Sequence, residues 1–197
     1  MPALFVEKGY GQVEANRLSG ITFGHIEAQA PAYEAAAAGS KPIAELENGM
    51  FLCIVPNVDE LPGAPMGRVA VLPGDADETS MPYLVYSEKK LYDEREGYSD
   101  FVDRAKDKVD GILYPKLIGI VPDSDVFTTN TLKVTKYDPE ALVKSIAVGD
   151  TLYVGDDGYL TKDQATNKTI AFKVVKVYTM PDGQTGVKVM SIDTEAR

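Results

Sequence analysis

Three acidic stretches carry the side chains best suited to chemistry: "VGDDGYL" from Val154 to Leu160, "PGDADE" from Pro73 to Glu78, and "VPDSD" ending at Asp125. Clustered carboxylates can hold a hard cation, and glycine-rich loops can wrap backbone amides around a phosphate. A calcium loop needs oxygen ligands converging from alternating positions, and its helix-flanked form takes about twelve residues closed by a bidentate Glu. "GDDGYLTKDQ" lacks that order. Apolar residues flank the loop as in paired strands, and Asp157-Gly158 is the dipeptide a type I′ hairpin favours, because glycine accepts positive φ without strain. It therefore reads as a turn. In "PGDADE", Asp75, Asp77 and Glu78 form the best remaining cation candidate, set against a plain solvated loop.

Other reaction chemistries find less to work with. His25 is the only histidine and Cys53 the only cysteine, too few for a histidine-based zinc centre or a thiolate cluster. A Cys53–His25 dyad needs an exposed thiolate, whereas Leu52 and Ile54 beside it point to a buried small hydrophobe. "GYGQVE", Gly9 to Glu14, lacks a third glycine and a preceding strand, and no "GKS" or "GKT" occurs to cradle a nucleotide. Glu94 with Glu96, and Asp123 with Asp125, are carboxylate pairs of the kind glycoside hydrolysis uses. Proximity in sequence does not supply the required separation, and the chain has no Trp to serve as a sugar platform. No catalytic, cofactor-binding or metal-ligating residue is assigned, and no cofactor is expected. Tyr83, Tyr86, Tyr92 and Tyr98 fall within sixteen residues, either as an amphipathic contact surface or as a core layer under a loop.

Short β-rich runs punctuated by Gly, Pro and Asp would have to position these residues: "MFLCIVP", "GRVAVLPG", "PYLVYS" and "ILYPKLIGIVP". Such spacing predicts a mainly β fold, an antiparallel barrel or sandwich. The proline of "LYPKL" should mark an edge or a bulge. The last third continues with "DTLYV", "GYLT", "IAFKVVKVYT" and "GVKVMSI", a β-meander over about 148–193. Ile170, Phe172 and Val174 alternate with Val175 and Val177, which predicts a strand apolar on both faces. One amphipathic helix or helical turn is expected in "YSDFVDRAKDKVDG", where Tyr98, Phe101, Val102, Ala105 and Val109 recur at helical spacing between Ser99 and Gly111.

Residues 1–45 read differently, as an N-terminal arm on a β-rich body of 46–197. Ala is the best helix former and Gly39 suits a C-terminal cap, so a short helix is expected from about Pro31 to Ala38. Leu4, Phe5, Val6, Tyr10, Ile21, Phe23 and Ile26 make the arm too apolar for a solvated tail. Ordering on the body, or on a neighbouring molecule, accounts for both features. Leu4, Phe5, Tyr10 and Phe23 are its candidate partner-binding residues.

At 197 residues the chain can bury one sizeable core, and 44% hydrophobic with 25% charged residues is ordinary for a globular fold. Thirty acidic against 20 basic residues give a net charge of −10, which repels nucleic acid and anionic bilayers. Neither partner is expected. The opening "MPALFVEKGYGQ" has no basic region followed by an apolar core, and no apolar run is long enough to span a bilayer, so cytoplasmic synthesis is expected.

The blocks "YDEREGYSDF", "VDGILYPKLIGIVPDSDVFTTNTL" and "VGDTLYVGDDGYLTKDQATNKTIAFKVVKVYTMPDGQTGVKVMSI" together resemble small structural proteins of tailed bacteriophages, encoded near the major capsid protein, that decorate or cement the head. The resemblance covers about Pro82 to Ile192, and "VFTTN", Val126 to Asn130, with the Asp-Gly turn pattern is its most distinctive part. It implies a non-enzymatic, oligomeric virion protein, made in the host bacterial cytoplasm. Such a protein would bind the major capsid protein on the capsid exterior and stabilise the shell. A head-fibre or tail-associated module that binds the host is the alternative within the same particle.

Overall fold

The computed structural model of the protein describes residues 10–194 apart from 23, 25, 28–29, 36–38, 58, 65–66, 87–101, 134–137 and 164–168. The chain begins with β1 (Val13–Arg17), α1 (Ser19–Thr22), β2 (Ile26–Glu27), β3 (Ala32–Glu34), β4 (Lys41–Pro42) and β5 (Glu45–Glu47). It continues through β6 (Phe51–Pro56), β7 (Arg68–Val71), β8 (Pro82–Val85), β9 (Val102–Arg104), β10 (Leu117–Gly119) and β11 (Val126–Thr129). The last elements are α2 (Pro139–Ser145), β12 (Thr151–Val154), β13 (Leu160–Thr161), β14 (Ile170–Thr179) and β15 (Thr185–Asp193).

The fold is mainly β, and its sheets form a sandwich-like stack rather than a closed barrel. A six-stranded sheet runs β1-β11-β15-β14-β12-β13, a seven-stranded sheet runs β2-β10-β8-β6-β7-β3-β4, and β5 pairs with β9. The described part of the first 45 residues orders on the body, giving β1 to one sheet and β2, β3 and β4 to the other. The β-runs expected from sequence become β6, β7, β8 and β10, with Pro115 lying just before β10. In the last third the order is not a simple meander. The β13 segment folds out to the sheet edge and β14 returns beside β12.

The main core lies on the inner face of the six-stranded sheet, where Leu152, Leu160, Phe172, Val187 and Val189 meet Phe51 and Leu84 from the other sheet. Phe51, Phe127 and Phe172 are fully buried, and their ring centroids lie 5.5 to 6.3 Å apart at tilted or edge-on angles. This is the geometry in which the positive edge of one ring meets the negative face of another. A second core, with Ala32, Leu46, Leu52, Ala70 and Leu117, packs around the seven-stranded sheet.

The pattern "IAFKVVKVYT" is explained by a bulge. Val174 pairs with Val189, Lys176 with Lys188 and Val177 with Val187, so Val175 is the extra residue. One inserted residue shifts the alternation by a step and returns Val177 to the core face. Hence the strand is apolar on one face with a phase change, not on both, and Val175 is left 45% exposed.

In two segments expected to be helical, the described residues form strands instead, in the second beside a short 3-10 turn. Within 31–38, Ala32–Glu34 forms β3, parallel to β7, with Ala32 against Ala70 and both fully buried. Helix propensity of a fraction of a kcal/mol per residue yields to such pairing, and the small side chains let the strands pack closely. Residues 36–38 lie outside the described residues. In the second case, Val102–Arg104 pairs with β5 and Ala105–Asp107 makes a 3-10 turn. Val102 is buried while Val109 is fully exposed, so the described part holds one helical turn rather than an amphipathic helix, and residues 98–101 lie outside the described residues.

The longer helix, α2, stands in "LKVTKYDPEALVKSIA". Its local signals are complete. Asp138 caps it by accepting from the backbone N–H of Glu140 at 2.9 Å and Ala141 at 3.2 Å, and Pro139 opens it. Leu142 and Ile146 enter the main core. The Lys162 ammonium donates to the Ser145 carbonyl at 3.2 Å at the other end. Asp138→Ala should cost about 1 kcal/mol, a fall of about 2–4 °C in melting temperature at this chain length, measurable by circular dichroism.

Candidate functional site

The acidic loops serve mainly as fastenings. In "VGDDGYL", the Gly155 N–H donates to the Tyr159 carbonyl at 2.8 Å and the Gly158 N–H to the Gly155 carbonyl at 2.9 Å. This closes the β12–β13 hairpin with a three-residue loop in which Gly158, at φ 82°, takes the left-handed position. The turn reading holds, although the loop is one residue longer than a type I′ turn. Gly158 is also a joint between layers: its carbonyl accepts from the Phe51 N–H at 2.8 Å, and a Cβ there would stand 2.6 Å from the Phe51 carbonyl oxygen.

Asp125 of "VPDSD" is fully buried, one oxygen accepting from the Ser19 N–H at 2.7 Å and the other from the Val121 N–H at 2.8 Å. Asp123 turns elsewhere, accepting from the Asp193 N–H at 3.2 Å. In "PGDADE", Asp75 accepts from the Ala35 N–H at 2.9 Å, while Asp77 and Glu78 are exposed. Among the described residues no three His, Cys, Asp or Glu side chains converge as a metal site, and no helix is long and apolar enough to cross a membrane.

Cys53 is fully buried between β7 and β8, its thiol directed at the Ser80 carbonyl 3.8 Å away, and burial pushes its pKa up to about 12. His25, Glu94, Glu96, Tyr92 and Tyr98 lie outside the described residues. Tyr83 packs against the second core, and Tyr86 stacks under the Lys116 ammonium.

Of the candidate partner-binding residues, Leu4, Phe5 and Phe23 lie outside the described residues, and Tyr10 is fully buried within its own chain. Burial, and then Asp182 beside its hydroxyl, raise the Tyr10 phenol above its ordinary pKa. Tyr10 begins a polar seam that sequence reasoning missed. Its carbonyl accepts from the side-chain amides of Asn130 at 2.9 Å and Gln184 at 3.3 Å. The Gln12 N–H donates back to Asn130 Oδ1 at 2.8 Å, so the Asn130 amide acts as one further peptide unit of the β1–β11 ladder. The Gly11 N–H donates to Glu47 at 2.6 Å, and Thr128 Oγ1 to Asn16 Oδ1 at 2.8 Å.

Tyr178 completes the seam from the far side. It projects from β14 opposite Gly186, and its hydroxyl donates to the Glu14 carboxylate on β1 and lies 2.8 Å from Thr128 Oγ1 on β11. At about 4.8 Å per strand, the tyrosine and glutamate together span roughly 14 Å across the sheet. Burial, then the hydrogen bond to Glu14, raise the Tyr178 pKa, which keeps the phenol a donor. Gln12 Nε2 and the second Glu14 oxygen are buried without a hydrogen-bond partner among the described residues, which offsets part of what the seam contributes.

The same outer face carries cations. Lys176 and Lys188 stand over the Tyr178 ring at 5.3 and 5.6 Å, with Lys173 and Arg17 exposed one row away. Their sequence signal was the phase of the alternation, hidden by the bulge. No protein family, curated protein or solved structure matches this chain.

Proposed function

We propose that the protein is a non-enzymatic structural subunit of a tailed-bacteriophage head, an oligomeric decoration protein that binds the major capsid protein on the capsid exterior and stabilises the shell. The observation that carries this reading is the use made of "VFTTN". Phe127 sits in the aromatic core, Thr128 and Asn130 hold the N-terminal strand, and the whole segment lies between β1 and β15. The most distinctive residues of the phage-like blocks thus build a rigid scaffold. Repeated contacts on a symmetric shell add through multivalency, so each of them can be weak.

Co-sedimentation with capsids assembled from the major capsid protein encoded beside it tests the reading. A truncation to Lys41 would remove β1, β2 and β3, so the informative shortened chain begins at Tyr10. The full chain should pellet with capsids. Loss of binding on removing residues 1–9, or on changing Leu4, Phe5 and Phe23 to Ala, would assign the contact to those side chains; retention would move it to the β-body. No pelleting by either chain overturns the reading, and immunogold labelling confined to the tail would favour the tail-associated alternative.

A further inference from the structure

The outer face of the six-stranded sheet is basic on a chain whose net charge is −10. Lys176 and Lys188 face each other directly across β14 and β15, a pairing that like charges disfavour. Both instead rest on Tyr178, whose ring attracts cations and whose hydroxyl is anchored at Glu14 and Thr128. The two charges are thereby held in place. One row along, Arg17 pairs with Val126, Val126 with Met190 and Met190 with Lys173, so the strip crosses β1, β11, β15 and β14. None of these four cations makes an ion pair among the described residues.

The complementary charge stands elsewhere on the molecule. Asp77 and Glu78 are exposed and also form no ion pair among the described residues. Their loop is tied to the β12–β13 turn, where the Gly74 N–H donates to the Asp156 carbonyl at 3.0 Å. That turn is at the end of β12 away from Thr151, the partner of Lys173. The two patches are therefore separate surfaces of one chain, opposite in sign and unpaired within it.

We infer that the basic strip of one copy docks the acidic 73–78 loop of a second copy, head to tail. Because the two patches differ, the contact is heterologous and repeats into a ring or a chain. At physiological ionic strength the screening length is about 8 Å, so facing patches attract while the distant net charges of the two copies are largely screened. Val175, pushed out by the bulge between Lys173 and Lys176, adds apolar area to the strip. The contact requires no capsid, so its test is independent of co-sedimentation.

Sedimentation velocity of the full chain at about 0.15 M salt, over about 10 µM to 1 mM protein, should show mass increasing with concentration. Lys173→Glu with Lys176→Glu should lower the association constant about tenfold or more, and so should Asp77→Lys with Glu78→Lys, because each places like charges face to face. An equimolar mixture of the two variants should associate again, since each then presents a strip that matches the other's loop. Circular dichroism checks that both variants keep the parent fold. A parent chain that stays monomeric throughout, variants that associate as the parent does, or a mixture without recovery would each overturn the inference.

Discussion

Phe172→Ala should lower the free energy of unfolding by about 3–5 kcal/mol, the largest effect expected of any single substitution in the main core. Phe172 is fully buried and touches both other rings of the aromatic cluster, at 5.5 Å from Phe51 and 5.5 Å from Phe127. Truncation would remove its transfer free energy and leave a cavity between the sheets, because β12, β14 and β15 are held in register by hydrogen bonds and cannot close in. Against a net stability of roughly 5–15 kcal/mol, that is about a fifth of the total at the least. Urea denaturation would show it as a lower midpoint at unchanged slope. Phe172→Leu, which keeps most of the volume, should cost about 1–1.5 kcal/mol. A loss below about 1 kcal/mol for the alanine variant would mean that the sheets do not meet at this cluster.

The second large effect is expected at Asp125. Asp125→Ala should cost about 3 kcal/mol, since it strands the buried N–H groups of Ser19 and Val121 and removes two charge-assisted hydrogen bonds. The loss should also be directional. Ser19 follows β1, so releasing it frees the end of the N-terminal strand, and hydrogen exchange should accelerate at Ser19 and at Val121 together while the β14–β15 ladder stays protected. Asp125→Asn retains one acceptor and turns an N–H toward one of the two donors, so an intermediate loss is expected. Equal, uniform acceleration across all strands would instead indicate global destabilisation without a local tether.

Much of the fold could be read locally. The β-runs became strands because alternation and Gly, Pro and Asp punctuation act over a few residues, and Asp157-Gly158 became a hairpin because positive φ is a property of the glycine itself. Cys53 is buried as its apolar neighbours implied. The helix at Pro139–Ser145 was legible in principle, with Asp-Pro-Glu at its start and Lys144 in its last turn, but it is only two turns long. The site was less legible. Tyr10 was read as a partner contact because the arm is too apolar for a solvated tail, yet it is buried in its own chain, where its carbonyl accepts from Asn130 and Gln184, 120 and 174 residues away.

By itself the sequence determined the β class, the turn residues, the acidic net charge and the scarcity of thiol and imidazole, all properties of composition or of a few adjacent positions. Tertiary structure alone decided which of two apolar phases of β14 faces the core, since a bulge is defined only by the partner strand. It also decided that Ala32 and Val102 lie in strands, since each takes its conformation from a β-partner, Ala70 and Glu47, distant in the chain. The same holds for Asp125, Asn130 and Tyr178. A side chain able to bond in several ways is committed by whichever backbone or carboxylate folding brings beside it, and here each of the three has one partner more than 100 residues away, the price of a sandwich whose first strand pairs near its last.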